Sequence, residues 1–373
     1  MATVFEATEI NGMQLDNRLM RSATWEGMAD LQGRPGEKLA RFMANLAKGG
    51  VGLIITGYQF VRPEGKQLPG QTGIQEDGMD KEHRLLTGAV HEAGGTVAAQ
   101  LVHVGGQTDT ATVGRRPLAP SEVDVPQFPE EPEALSVEQI EDIVRAFADG
   151  ARRAKDWGYD AVQLHAAHGY LINQFLSPLT NRRNDAYGGT PEKRRKFLLD
   201  VYQAVRDAVG PDYPVLAKCN AEDNIAGGLR FDEALEAMQA LSGAGIDAIE
   251  VSAGTPASGD ESPARADIDE RTREAYHLDL ARKVKQEVEC PVGVVGGIRS
   301  YEVAEAAVGE HGLDYVSLAR PLIREPGLPR RWKDGDRAPA KCISCNGCFG
   351  PGLKEGGIAC VIERKTPEKV YSG

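Results

Sequence analysis

The residues best equipped for chemistry are two imidazoles and a phenol in the run His165-Ala-Ala-His168-Gly-Tyr170. This run follows the apolar stretch Tyr159-Asp-Ala-Val-Gln-Leu164, so all three side chains emerge where a buried strand ends. Ring N–H donors and a phenolic O–H fixed in one loop can hold a carbonyl oxygen and deliver a proton. A third ligand at recognisable metal spacing is missing, so the histidines read as substrate contacts in preference to a metal site. A lone histidine would by default bond a neighbouring carbonyl; two beside Tyr170 favour a substrate. Such equipment suits redox chemistry on a polarised double bond, given a hydride source opposite.

The elements that must position these groups repeat along the chain. Glycine, a second residue, aspartate and an apolar run recur at Gly158-Tyr-Asp160, Gly245-Ile-Asp247 and Gly312-Leu-Asp314, with looser copies at Gly50 and Gly95. Further strands are expected at Leu19–Ser22, Pro214–Cys219 and Pro291–Val295. Amphipathic helices lie between them; the clearest runs from Ser136 to Asp156 and opens on the capping box Ser136-Val-Glu-Gln139. Eight strands alternating with helices predict a parallel α/β fold, a (β/α)8 TIM barrel over residues 1–333. A short cysteine-rich C-terminal extension, 334–373, follows. In such a barrel ligands sit at the carboxyl ends of the strands, where Ser22, Gln100, His165, Lys218, Ser252, Gly296, Gly297 and Arg320 all fall. The proline-rich stretch 108–133 and the stretch 253–274 read as long loops, either walls of a site or surface insertions.

Val294-Val-Gly296-Gly297-Ile-Arg-Ser300 is a strand, a glycine pair and a helix start, a pattern that brings backbone N–H groups to an anion. Ala319-Arg320 follows the eighth strand with a guanidinium. Ordinary tight turns would explain the glycines alone; with Arg320 the pattern predicts a phosphate site.

Composition narrows the field further. The 373 residues carry a formal net charge of −12, which argues against nucleic acid and anionic membranes as partners. No apolar run approaches the roughly 20 residues of a membrane span. The amino terminus shows no basic, then apolar, leader, so no signal peptide is expected. Cys219 and Cys290 stand alone, whereas Cys342, Cys345, Cys348 and Cys360 crowd the tail, unlike a secreted disulfide scaffold. A cytoplasmic location is expected.

The segment from His165 through Gln174-Phe-Leu-Ser-Pro178 and Asn181 to Asp185, Tyr187-Gly188-Gly189 and Arg194 closely resembles the old yellow enzyme family of FMN-dependent oxidoreductases. Looser agreement covers about residues 5–330, including Asn17-Arg18 and Gln100-Leu-Val-His103. The resemblance implies non-covalent FMN at the barrel rim and NADH or NADPH as electron donor. It assigns Gln100 to the flavin pyrimidine edge, Lys218 to flavin N1 and O2, and the backbone of Ser22 and Ala23 to N5 and O4. Gly296, Gly297, Ala319 and Arg320 would hold the phosphate. His165 and His168 would bind a substrate carbonyl, and Tyr170 would be the proton donor. The loop 181–189 is expected to be architectural. Two positions depart from the family: many relatives have arginine where Lys218 stands, and threonine or cysteine where Trp25 stands beside the substrate.

The tail pattern Cys342-x2-Cys345-x2-Cys348-x11-Cys360 resembles that of the 2,4-dienoyl-CoA reductase and trimethylamine dehydrogenase branch, which implies a 4Fe–4S cluster. The second gap there usually holds three residues. Thiolates at this spacing also hold zinc, or the tail carries no metal. Those larger relatives continue into nucleotide-binding domains, so a cluster here would lack its usual internal electron partner. The function expected is an NAD(P)H-dependent ene-reductase acting on a small molecule with an activated C=C bond, with a homo-oligomer or a redox partner protein as its protein partner. The alternatives are a dienoyl or enoyl-thioester reductase fed through the tail, and an electron-transfer flavoprotein subunit.

Overall fold

The aspartate of each repeat has a fixed structural task. Asp160, Asp247 and Asp314 each accept, through Oδ2, the first strand N–H of a neighbouring strand: Val97 at 2.7 Å, Val215 at 2.7 Å and Val292 at 2.6 Å. Their own N–H groups return a bond to the carbonyls of the same three valines. Each repeat therefore sets the stagger between adjacent strands and satisfies a donor that would otherwise be stranded at the barrel floor.

The computed structural model describes residues 2–365. Eight strands form the barrel: β1 Leu19–Arg21, β2 Leu53–Ile55, β3 Val97–Val102, β4 Ala161–Ala166, β5 Val215–Asn220, β6 Ala248–Ser252, β7 Val292–Val295 and β8 Tyr315–Leu318. All pair in parallel in that order, and β8 returns to β1 with Val316 opposite Leu19, which closes the sheet. Between successive strands run α1 Glu37–Lys48, α2 Asp80–Glu92, α3 Val137–Asp156, α4 Pro191–Val209, α5 Phe231–Gly243, α6 Leu278–Glu287 and α7 Tyr301–Gly309. Helix α3 starts as its sequence requires, with both capping-box bonds between Ser136 and Gln139 formed.

Beneath the barrel a hairpin of Thr8–Ile10 and Met13–Leu15 turns on Asn11 and Gly12, both with positive φ. Its Ile10 and Leu15 join the interior cluster with Leu53, Leu216 and Tyr315 and plug the amino-terminal end. The Asn-Gly pair is a hairpin signal, since both turn positions need positive φ. The loop 108–133 carries a short parallel pair, Leu118–Ala119 with Glu133–Ala134.

After Leu328–Lys333 the chain turns back across the carboxyl-end rim. Ala340 N–H bonds Arg299 O at 2.7 Å, Ile358 N–H bonds Glu26 O at 2.8 Å, and Lys38 Nζ reaches Gly356 O at 2.8 Å. The tail is thus packed on the barrel. Residues 366–373 of the expected extension lie outside the described residues. Among the described residues no helix is long and apolar enough to cross a membrane.

Candidate active site

His165 is the penultimate residue of β4, and the chain then reverses through two left-handed residues, His168 at φ 62° and Gly169 at φ 73°. Gly169 adopts this conformation freely; His168 is held in it by its surroundings. Gln107 Nε2 donates to His168 O at 2.7 Å, Gly169 N–H donates to Asn173 Oδ1, and Gln174 Nε2 donates to Gly169 O at 2.6 Å. The reversal returns Tyr170 to the side of His165, with ring centroids 4.8 Å apart and edge-on, and places His168 5.1 Å from His165.

Burial holds both imidazoles well below the ordinary histidine pKa, with the neighbouring charge of Lys218 acting in the same direction. They are neutral hydrogen-bonding rings. His168 Nε2 lies 2.8 Å from Ser252 Oγ, and His165 Nδ1 is buried without a partner. Burial also pushes Tyr170 up to about 12, so its phenol keeps its proton. The Tyr170 hydroxyl donates to Gln67 Oε1 at 2.9 Å, and the hydroxyl of Tyr58, 5.3 Å away between ring centroids, donates to the same oxygen at 2.9 Å.

A polar chain runs behind these rings. Gln100 on β3 donates to Gln163 on β4 at 2.7 Å, and Gln163 donates to Glu250 on β6 at 2.9 Å. Lys218 on β5 lies 3.3 Å from Glu250 and donates to Ser22 Oγ at 2.7 Å. Beside it Arg21 and Glu26 form a second buried pair at 2.8 Å. Sequence reasoning missed Tyr58, Gln67, Gln163, Glu250 and the Arg21–Glu26 pair. Gln163 and Glu250 were visible only as single polar letters inside apolar strand runs, and nothing local pointed to the others.

On the opposite wall Gly296 (φ 148°) and Gly297 (φ 68°) leave β7 beside Tyr276; a Cβ on Gly297 would come within 2.7 Å of its ring. The helix start that follows does not offer its N–H groups freely. The Glu274 carboxylate, from the end of the 253–274 loop, accepts from Arg299 N–H and Ser300 N–H at 2.8 Å and from Ser300 Oγ at 2.6 Å. Arg320 follows β8 and is buried.

These walls enclose one cavity of about 340 Å³, a size suited to a small molecule. Ser22, Ala23, Trp25, His168, Tyr170, Lys218, Gly297, Ala319 and Arg320 line it, with Ser252 and Tyr58. His165, Gln100 and Gly296 are not among the lining residues; His165 packs edge-on against His168 and Tyr170, and Gly296 precedes Gly297. The 253–274 loop supplies Ser262, Pro263 and Ala264, and the tail supplies Ser344 and Phe349. The loop 181–189 takes no part: Arg183 pairs with Asp185 at 2.6 Å and reaches the carbonyls of Pro120 and Leu135.

Cys342, Cys345, Cys348 and Cys360 gather around a second, small cavity next to Arg320. Burial raises the Cys342 thiol and pushes Cys348 up to about 11, so both keep their protons in this arrangement. Among the described residues no three His, Cys, Asp or Glu side chains are grouped so as to hold a metal ion. An iron–sulfur or zinc site at these thiols, which their spacing pointed to, is therefore not shown.

Comparison with known proteins agrees with the architecture. The profile of the NADH:flavin oxidoreductase / NADH oxidase family matches residues 3–338. The chain is 36% identical over 351 residues to an NADH oxidase of Thermoanaerobacter brockii, covering 93% of this chain and 53% of that protein. A 2-naphthoyl-CoA reductase, solved with 2-naphthoyl-CoA, superposes with a TM-score of 0.88 at 27% identity, over 96% of this chain and 56% of that one. The old yellow enzyme homologue of Zymomonas mobilis superposes with a TM-score of 0.80 at 25% identity, over 94% and 98%. The chain spans about half the length of the first two. With a closed parallel barrel, the His-Tyr rim and a family match across nearly its whole length, the chain belongs to the NADH:flavin oxidoreductase / NADH oxidase family, the family of old yellow enzyme.

Proposed function

We propose that this chain is an FMN-dependent oxidoreductase that takes electrons from NADH or NADPH and reduces the activated C=C bond of a small enone or enoyl compound. The observation that carries the reading is one cavity lined by neutral His168 and protonated Tyr170 with Lys218 and Arg320, with His165 edge-on to both rings.

The residues present fit a flavin nucleotide. Gln100 Oε1 is buried without a hydrogen-bond partner, an acceptor available to a ring N–H. Lys218, Ser22 and Ala23 line the cavity, and Lys218 brings positive charge to it. Gly296, Gly297, Ala319 and Arg320 form the phosphate end, and Trp25 bounds the substrate side. The chemistry FMN supplies when bound is acceptance of a hydride from the nicotinamide and donation of a hydride to the substrate Cβ.

The protein's own part is positional and acid–base. His165 and His168 hold the carbonyl oxygen and stabilise the negative charge that develops there as Cβ receives hydride. Being neutral, they donate without competing as acids. Tyr170 gives its proton to Cα, completing the addition of two electrons and two protons across the bond, and solvent restores the phenol.

Protein purified anaerobically should show the flavin absorbance near ~450 nm, bleach with NADH or NADPH, and recover colour with 2-cyclohexen-1-one. Tyr170→Phe should slow that recovery by roughly 10²–10⁴-fold and leave bleaching unchanged. Colourless protein that takes up no FMN would sink the proposal.

A second reading, reduction of an enoyl or aryl thioester, is favoured by the likeness to 2-naphthoyl-CoA reductase. Recovery of colour with an acyl-CoA and not with the free enone would select it. Metal analysis of the same preparation tests the tail: ~4 irons per chain would support a cluster, whereas absence of iron and zinc leaves the thiols as wall residues.

A further inference from the structure

Arg320 lines both cavities, and so forms the partition between the main site and the small space around the four tail cysteines. Its Nη1 faces three acceptors: Asn346 Oδ1 at 2.6 Å, Arg265 O at 2.7 Å and Ser344 O at 3.2 Å. An Nη nitrogen carries two hydrogens, so this end of the guanidinium is fully spent on the protein. A planar fork held at one end keeps its remaining donors in a fixed direction.

Asn346 sits beside Cys345, with φ 57°, in the left-handed region that asparagine tolerates better than most residues. While Oδ1 accepts from Arg320, Nδ2 donates to Ala264 O at 2.7 Å. One amide thereby joins the cysteine loop, the 253–274 loop and the arginine. Apolar and acidic residues lack this combination: a carboxylate has no donor, and an aliphatic side chain has neither group. Ser344, on the other side of Cys345, is also left-handed at φ 55° and turns its carbonyl to the same arginine.

We propose that Asn346 is a positioning residue for the cofactor phosphate: it aims Arg320 and so sets FMN affinity without touching FMN. This rests on the flavin reading above and deepens it, because it makes the cysteine loop part of the cofactor site. Ordering of that loop and retention of FMN are then two readings of one arrangement.

The test uses the full chain freed of flavin and titrated, by quenching of flavin fluorescence, with FMN and with riboflavin, which lacks the phosphate. Asn346→Gly removes the amide while leaving φ unstrained. It should weaken FMN binding roughly tenfold, the effect of losing one hydrogen bond to a charged group, and leave riboflavin binding unchanged. Arg320→Ala should weaken FMN further, and Asn346→Gly added to Arg320→Ala should cost nothing more. Riboflavin binding doubles as the check that the variants fold. Equal weakening of both flavins, an additional FMN loss in the Arg320→Ala background, or unchanged FMN binding in Asn346→Gly would overturn the inference while leaving the flavin reading intact. Wild-type protein that binds neither flavin overturns both.

Discussion

At the residue scale, the Lys218–Glu250 pair shows how a barrel interior accommodates charge. Both side chains are almost wholly buried and 3.3 Å apart. Burial lowers the lysine pKa and the carboxylate beside it opposes that shift. Gln163 donates to the same Glu250 oxygen that faces the lysine, Ser22 accepts from Lys218, and Glu250 Oε1 is buried without a partner. Glu250→Gln should therefore cost about 3–5 kcal/mol of unfolding free energy, read as a lower urea midpoint. A double change, Lys218→Met with Glu250→Leu, should recover part of that loss, since it removes the unpaired buried charge. An unchanged midpoint in Glu250→Gln would show that the pair is immaterial. The histidines and Tyr170 were legible in sequence because they share one loop. Glu250 was not, because its partners lie on two other strands and only the folded barrel brings them together.

At the element scale, the Gly-x-Asp repeats and the capping box of α3 made strands and helices readable, since their bonds are short in sequence or recur at fixed places. The tail defied such reading. Its helix Phe349–Glu355 bears on the site through Gly352, where an added Cβ would lie 2.6 Å from Trp25 Cζ3. Trp25 is pinned there by its Nε1 bond to Pro69 O at 3.1 Å and by the close approach of Gly27, where an added Cβ would lie 2.8 Å from Trp25 Cζ2. Gly352→Ala should push helix and indole apart at a cost of about 1–3 kcal/mol and shift tryptophan emission. Unchanged emission and melting temperature would mean that the tail rests loosely on the rim. A cysteine pattern reports its own spacing and nothing of the surface it lies on.

At the scale of the whole molecule, buried histidines govern the response to acid. Burial lowers His83 and His103 to about 4 and His277 to about 3, and His165 and His168 move the same way. The unfolded chain takes up these protons near pH 6.5, whereas the folded chain does so only well below it. The unfolded state binds more protons in that window, so stability is complete above about pH 6.5 and falls as the pH drops through it. Each such histidine adds about 1.4 kcal/mol per pH unit to the slope. Glu26 and Asp223, raised by burial, oppose this over the lower part of the range. Urea midpoints at pH 7 and pH 5 should differ clearly, with the acidic sample the weaker; equal midpoints would refute the balance.

Gln67 Oε1 takes hydrogen bonds from Tyr58 and Tyr170 together, and Tyr58 is also placed to bond the Tyr170 oxygen itself, an interaction that favours the ionised form of Tyr170. If Tyr170 gives its proton away as proposed, the neighbouring hydroxyl need only swing from amide to phenolate, with no ring displaced. The proposed chemistry would thus find, in Tyr58, a temporary shelter for a negative oxygen until a proton arrives from solvent.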